Sequence, residues 1–354
     1  MKQGRTLQEV AKQIRADAKA KHDFRVPTDK LRFNANRHSL NVEFKAGKES
    51  YSTTPTNHCL RQICQRSKIP APYVDQMMSE NGEHSELLAE NINYWWQQKP
   101  EKRMLRTLIN GSQVARAFMS ERYRPLENGD LAAAVLPKLE RLGCEILSCE
   151  LTETRFYIQA ATPKIEAKLV GDRVRAGCCI TNSEVGCGAL NLNELLYYLI
   201  CRNGMVAEKV MGRHHIGRKT DPLFELDSVA EYYSDATREM DDRAFWMKVQ
   251  DATDALFDKD RFLARVAQFE ATTEQKIKPV EAVEEITERF KFSEAEKDAV
   301  LEHLIEGAKG NTLFGLINAV TRTATDVESY DRSIELQRVG GQIMELPKTI
   351  WSRH

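Results

Sequence analysis

The sequence lacks several features that would place the protein at a membrane or in a repetitive class. No apolar run approaches the length of about 18 residues needed to cross a bilayer, so no transmembrane helix is expected. Residues 1–21 are charged throughout and contain no apolar segment of the kind found in a secretory signal. Glycine (18) and proline (11) are too scarce among 354 residues for a collagen-like or low-complexity chain. We therefore expect a folded cytoplasmic protein with no membrane partner.

The common nucleotide-binding and hydrolase motifs are also absent. The pair Gly47-Lys48 has neither the upstream glycine nor the following hydroxyl residue of a P-loop. The glycines at 186 and 188 are not followed by the third glycine of a dinucleotide fingerprint, because Asn191 occupies that position. Neither G-x-S-x-G nor H-E-x-x-H occurs. We predict no cofactor and assign no catalytic residue.

Eight cysteines lie between residues 59 and 201, but their spacing does not indicate a metal site. Neither the cluster of His58, Cys59 and Cys64 nor that of Cys178, Cys179 and Cys187 has the C-x-x-C spacing of a zinc knuckle. A disulfide-stapled domain would be shorter and denser in cysteine. We expect reduced thiols that pack as small apolar side chains, and no bound metal.

Charge is unevenly distributed along the chain, although the net charge is only −1. Residues 1–220 carry 34 Lys and Arg against 24 Asp and Glu, whereas residues 221–354 carry 17 against 28. The basic part is suited to a polyanion. The alternative is a chance imbalance between two solvated surfaces.

Hydrophobic periodicity predicts an α+β fold. It has a mainly antiparallel sheet with a β-hairpin, flanked by helices and followed by an all-helical C-terminal part. We divide the chain into a helical N-terminal arm and flank (1–100), an antiparallel β-rich basic core (101–220) and an acidic helical region (221–354). Asn110-Gly111 between two short apolar runs indicates the hairpin turn. The period does not decide between strand and helix for residues 194–201, and the last helix is predicted to end near Gly340-Gly341.

Basic and aromatic residues recur together in the positive part of the chain. Single-stranded nucleic acid is held by a cationic groove along the phosphates and by aromatic faces on which bases stack. Alternatively, the rings belong partly to the core and the charged side chains form a solvated rim. The predicted nucleic-acid-binding residues are Trp95, Trp96, Arg103, Arg106, Arg116, Arg122, Tyr123, Arg124, Arg213, His214, Arg218 and Lys219.

Four stretches resemble a phage- and plasmid-borne family known only as a domain of unknown function, number 932 (DUF932). They are Ser120–Leu126, Val170–Gly186, Cys201–Gly217 and Thr312–Thr321. Together they cover roughly residues 100–340 in the order of the family. The resemblance implies a cytoplasmic protein of a mobile element, near genes of replication, recombination or anti-restriction, but it supplies no mechanism.

Three functions remain open at this point. The first is binding of single strands, DNA favoured, by a homo-oligomer that acts in annealing or recombination without nucleotide hydrolysis. The second is a protein–protein interaction or defence-antagonist role, with a host partner bound through the acidic C-terminal region. The third and least expected is a metal-dependent nuclease with Glu166, Asp172 and Glu184 as its acids. Ser183-Glu184, and likewise Asn318 and Thr321, either line a site or only hold the fold.

Overall fold

Two sheets form the frame of the protein in the computed structural model, which describes residues 1–36, 39–78, 84–199, 203–213, 235–307 and 309–351. The first elements are α1 (Leu7–Ala20), β1 (Lys21–Pro27), β2 (Arg32–Asn36), β3 (Ser39–Ala46), β4 (Glu49–Pro55), α2 (Asn57–Arg66), α3 (Ala71–Met78), α4 (Ser85–Gln98), β5 (Lys102–Ile109) and β6 (Gln113–Ser120).

The second sheet and most of the helices follow. These elements are α5 (Asn128–Arg141), β7 (Glu145–Leu151), β8 (Phe156–Leu169), β9 (Asp172–Asn182), β10 (Leu190–Tyr198), β11 (Gly204–Arg213), α6 (Asp235–Ala255), α7 (Lys259–Ala271), α8 (Pro279–Phe290), α9 (Glu294–Glu306), α10 (Leu313–Thr323) and α11 (Tyr330–Met344). The predicted α+β class is confirmed, as is the helical C-terminal part. Residues 194–198 are strand.

The first sheet has six strands in the order β1-β5-β6-β4-β3-β2, antiparallel except where β4 meets β6. The predicted hairpin is β5–β6, and its turn contains Gly111 at φ +88°. Helices α2 and α4 cover one face, where Ile63 and Leu88 pack with Phe33 and Phe118. Strands β1–β4 lie in the segment that we predicted as a helical flank. Strand β3 contains Leu40–Phe44, whose pattern LNVEF indicates a strand. The other three were not predicted as strands because their burial is sparse: β4 (ESYSTTP) buries only Thr53.

One outer edge of this sheet is closed by a side chain. Asn93 of α4 accepts a hydrogen bond from the Phe33 amide of β2 (2.8 Å) and donates one to the Phe33 carbonyl (2.7 Å). The amide side chain thus takes the place of a neighbouring strand.

The second sheet has five antiparallel strands in the order β11-β10-β9-β8-β7. It is covered on both faces, as the alternation along β8 demonstrates. Phe156 and Ile158 pack in the cluster that contains Leu131 of α5, whereas Tyr157 between them packs with Tyr330 and Ile334 of α11. Double-sided burial explains why β9 is buried at eight of its 11 residues.

Helix α11 continues through Gly340 and Gly341 to Met344, so the predicted end at these glycines is wrong. A Cβ at position 341 would lie 2.2 Å from the Val206 carbonyl oxygen, and one at position 340 would lie 2.5 Å from Thr321 Cγ2. The two glycines therefore allow α11 to pack closely on β11 and α10.

Hydrogen bonds to neutral sheet side chains complete the packing of α11. Tyr157 donates to Asp331 (2.7 Å), Gln159 donates to Gln337 (2.7 Å), and Thr181 accepts from Arg338 (3.0 Å); these residues lie on the same face of the sheet. The Asn318–Thr321 pair also holds the fold. Asn203 donates to Thr321 Oγ1 (3.0 Å), and Asn318 donates to the carbonyl one turn earlier in its own helix.

Candidate nucleic-acid interface

The predicted arginines that remain exposed, Arg122 and Arg124, lie at one end of the six-stranded sheet. Strand β5 begins where β1 and β6 end, because both are antiparallel to it: Lys102 is opposite Pro27, and Arg103 is opposite Ser120. Residues 121–127 follow β6 at the same end. The junction from α4 into β5 also lies here, so three chain segments meet. We call this region the basic sheet end.

Four cations of the basic sheet end are exposed. Arg122 and Arg124 lie in the loop 121–127. Arg25 of β1 reaches the same loop and donates to the Glu121 carbonyl (3.2 Å), while the Lys102 ammonium lies 3.9 Å from the Glu121 carboxylate. Sequence reasoning missed Arg25, because only the pairing of β1 with β5 brings it to this place.

Two exposed aromatic rings lie on α4, the helix that precedes β5. Tyr94 and Trp95, near the C-terminal end of α4, are 57% and 46% exposed and contact each other edge to face at 5.3 Å. Trp96 is buried and stacks on Phe118 at 5.7 Å, so its ring is not available to a base. Trp95 therefore remains a candidate stacking residue, and Trp96 does not.

Arg103 and Arg106 on β5 differ from the prediction. Arg103 is only partly exposed and is paired with Glu101. Arg106 is fully buried, with two hydrogen bonds to Asp23 (2.9 and 2.7 Å) and one of 2.8 Å to Glu127. Its guanidinium has no path to a phosphate in this structure, so we withdraw it from the predicted binding set.

Arg116 and Tyr123 are buried as well and leave the binding set for the same reason. Arg116 lies 3.6 Å from Glu184 and 3.8 Å from Asp17. The Tyr123 ring packs with Met119 and its neighbours, and its hydroxyl donates to the Ser183 carbonyl (3.4 Å). An Arg or Tyr on a short strand beside a polar turn has the same sequence pattern whether it faces solvent or the second sheet.

These buried side chains form an ionic cluster between the two sheets. Arg106 and Arg116 come from the first sheet, Glu184 follows β9 of the second, and the remaining members lie on α1, β1 and the loop 121–127. We call this set the junction cluster. Its charged members are Asp17, Lys21, Asp23, Arg106, Arg116, Glu127 and Glu184.

Two carboxyl groups of the junction cluster share a hydrogen bond, and their environments move their pKa values in opposite directions. Burial opposes ionisation of Glu127, but the Arg106 charge, the hydrogen bonds from Glu184 and Arg106 and the Lys21 charge together outweigh it and lower the pKa of Glu127 to about 2. Burial, followed by the charge of Glu127, raises the pKa of Glu184. Of the two, Glu184 is therefore the carboxyl that holds a proton to the higher pH, and in its protonated form it donates to Glu127.

A proton on Glu184 balances the charge of the junction cluster. Lys21, Arg106 and Arg116 supply three positive charges, and Asp17, Asp23 and Glu127 supply three negative ones. Buried charges are tolerated when they are paired and hydrogen-bonded. The pattern explains how so many charged groups are accommodated at 0–29% side-chain exposure.

Of the remaining predicted binding residues, only Arg213 lies within the described part of the chain, opposite Leu190 at the start of β10. Arg213 is the last residue of β11. His214, Arg218 and Lys219 fall outside the described residues.

The acids proposed for a nuclease do not come together. Glu166 is paired with Arg175 (2.7 Å) on the neighbouring strand. Asp172 begins β9 and Glu184 follows its end, so the 11-residue strand separates them by about 33 Å. Among the described residues, no group of three or more His, Cys, Asp or Glu side chains is placed to hold a metal ion. The three-acid arrangement is therefore wrong for this fold.

The cysteines pack as expected. Cys59, Cys149, Cys178 and Cys179 are completely buried. Burial raises the pKa of the Cys149 thiol to about 12.

The structure thus defines an α+β protein with two sheets, a charge-balanced junction between them and one exposed basic sheet end. The model of a family described as a domain of unknown function (DUF932) matches residues 117–341. Because the match spans more than half of the 354 residues, the chain belongs to this family. Neither the curated proteins nor the solved structures give a significant match. Within the described part of the chain, no helix has the length and apolarity needed to cross a membrane.

Proposed function

We propose that this chain binds single-stranded nucleic acid, DNA favoured, at the basic sheet end. The observation that carries the proposal is the grouping of Arg25, Lys102, Arg122 and Arg124, all exposed, around Glu121. Trp95, exposed on the helix that precedes β5, is the candidate stacking residue. Cations track the phosphate backbone, and an exposed ring gives a base a face on which to stack.

The proposal places the protein in the cytoplasm and in the annealing or recombination steps of a mobile genetic element. Binding would hold a strand extended and would need no nucleotide hydrolysis, in keeping with the missing P-loop motif. Binding by several copies along one strand would make the active species a homo-oligomer.

The test is fluorescence anisotropy of a labelled single strand of about 30 nucleotides over a salt series, with a duplex of equal length alongside. We expect tighter single-strand binding with a steep negative salt slope. The double variant Arg122→Ala/Arg124→Ala should bind at least tenfold more weakly and lose about 0.7 of salt slope per phosphate contact removed. Arg289→Ala, an exposed arginine on the acidic α8, is the matched control and should bind like the wild type.

Absence of single-strand binding at low salt would contradict the proposal. A protein partner is then the better candidate, because the acidic helical region exposes Val280 (57%) and Ile305 (74%). Pull-down with the intact chain and with Ile305→Glu would test it.

A further inference from the structure

The loop that presents Arg122 and Arg124 is held by one short segment of the second sheet. Asn182 donates to the Leu126 carbonyl (2.7 Å), and the Ser183 carbonyl accepts from Tyr123 (3.4 Å). Glu184 accepts from the Asn128 amide (2.7 Å). With the carboxyl pair, consecutive residues 182–184 hold the stretch 123–128 along its whole length.

We propose that the Glu127–Glu184 carboxyl pair is a proton-operated latch on the loop 121–127, closed when Glu184 carries a proton and released when it does not. Glu127 and Glu184 are then positioning residues for Arg122 and Arg124. The effect of the latch on nucleic-acid binding rests on the proposed function, whereas loop release itself does not.

The geometry around Glu184 explains why it depends on a proton. Its charged neighbours lie at the limit of ion-pair distance: Lys21 and Arg116 at 3.6 Å and Arg106 at 3.9 Å. Glu127, in contrast, has Arg106 at 2.8 Å and Lys21 in direct contact. Lys21 and Arg106 are thus closer to Glu127, and Arg116 lies no nearer than 3.6 Å to Glu184, so an ionised Glu184 would be buried with poor compensation.

Loss of the proton would act at the point where the loop is held. Two adjacent carboxylates repel each other, and the junction cluster would carry one excess negative charge. Moving Glu127 and its loop into water relieves both. The ion pairs of Glu127 with Arg106 and Lys21 oppose this movement, but both cations also lie near Glu184, at 3.9 and 3.6 Å, and can pair with it once it is ionised.

Groups from every packed element face the carboxyl pair and could contribute to a pH dependence. His58 is the one to control for, since imidazoles titrate near neutral pH and its Nε2 lies 2.9 Å from the Val185 carbonyl oxygen. The facing groups are Asp17 (α1), Lys21 and Asp23 (β1), His58 (α2), Arg106 (β5), Arg116 (β6), Tyr123 (loop) and Asp130 (α5).

The first test is trypsin cleavage of the full chain after Arg122, followed between about pH 5 and pH 9, the range in which buried glutamates titrate. Arg124 precedes Pro125 and resists trypsin, so Arg122 is the reporter site. Glu184→Gln keeps the shape and a hydrogen-bond donor but cannot ionise. We expect the ratio of wild-type to Glu184→Gln cleavage rates to rise with pH, by up to tenfold for each unit of pKa shift on closing.

The ratio cancels the pH dependence of trypsin, and His58→Gln should behave like the wild type. A wild-type to Glu184→Gln ratio that stays constant with pH would overturn the latch. If Glu184→Gln folds poorly, the amide hydrogen exchange rates of wild-type residues 121–127, divided by the rates of the β6 amides, measure loop release instead. Loop protection that does not change with pH then contradicts the proposal.

Anisotropy with the labelled single strand over the same pH range separates the two proposals. Binding that weakens with pH in the wild type but not in Glu184→Gln supports both. Loop release with pH, without any single-strand binding, retains the latch and contradicts the proposed function.

Discussion

The five-stranded sheet makes two contacts of opposite character. Toward the β5–β6 hairpin, its partner groups are charged, and Arg106 and Glu127 are held by ion pairs within the junction cluster. Toward α11, the contact depends on shape, with Gly341 against the Val206 carbonyl and neutral side chains such as Gln159 reaching the helix. The first contact should respond to charge and pH, whereas the fit of Gly341 against β11 should respond to side-chain volume.

The family match covers the carboxyl pair of the charged contact but not its cations. Residues 117–341 include Glu127 and Glu184, whereas the cations Lys21, Arg106 and Arg116 all precede the match. The carboxyl pair thus belongs to the family region, and the N-terminal part of this chain supplies its counter-charges. Such a junction is strong only while both sides keep their ionisation states.

Among the substitutions that test the two contacts, Arg106→Met should cause the largest loss of stability. Removing the guanidinium leaves Asp23 and Glu127 without their main partner, and breaking a buried pair typically costs about 3–5 kcal/mol. Denaturant unfolding would measure the loss, with exposed Arg122→Met as a control expected to change stability by no more than about 0.5 kcal/mol. Equal stabilities of the two variants would contradict the junction cluster as a stabilising contact.

A second, smaller effect should appear in acid. The pKa of Glu127 is depressed to about 2 from the ordinary value of 4.5. Its contribution to stability is therefore complete above pH 4.5 and is lost as the pH falls from 4.5 to about 2. The shift corresponds to roughly 3 kcal/mol. Glu184 has the opposite sign: its raised pKa stabilises at low pH, and that contribution is lost as pH rises.

Glu127→Gln should therefore be less stable than the wild type near neutral pH and should lose less stability on acidification. Urea unfolding at a series of pH values would measure both. A variant whose acid limb parallels that of the wild type would show that other carboxyls cause the acid sensitivity.

The smallest effect is expected from Gly341→Ala, which tests the contact between α11 and β11. Gly341→Ala places a methyl group 2.2 Å from a backbone oxygen, which α11 can accommodate only by moving, at a cost of about 1–3 kcal/mol. Gly129→Ala in α5 is the matched control, because its nearest atom lies 3.8 Å away, and we expect it to be neutral or slightly stabilising. Thermal unfolding at two pH values should give the same loss for Gly341→Ala at both.

Local patterns predicted much of this fold. The Asn110-Gly111 hairpin was predicted correctly, because short-range turn geometry decides it. Gly340 and Gly341 were predicted to end the last helix but lie inside it. A glycine that permits close packing has the same sequence signal as one that ends a helix.

The candidate site was only partly predictable. Arg122, Arg124 and Trp95 are exposed as the proposal requires. Arg106 was predicted to bind but is buried, whereas Arg25 was not predicted and is exposed at the basic sheet end. The exposed fraction of a strand arginine depends on which sheet faces it, and the sequence alone does not show this. Glu127 was missed, as only the tertiary structure brings it to Glu184.

The bond between Asn93 and Phe33 limits how copies of this chain can assemble. An edge strand normally recruits further strands through its free amide and carbonyl groups, which is a common origin of fibres and swapped dimers. At Phe33 both groups are already occupied by a side chain of the same molecule. Assembly along a nucleic-acid strand would then depend on side-chain surfaces rather than on sheet extension past this residue, which would keep the oligomer reversible.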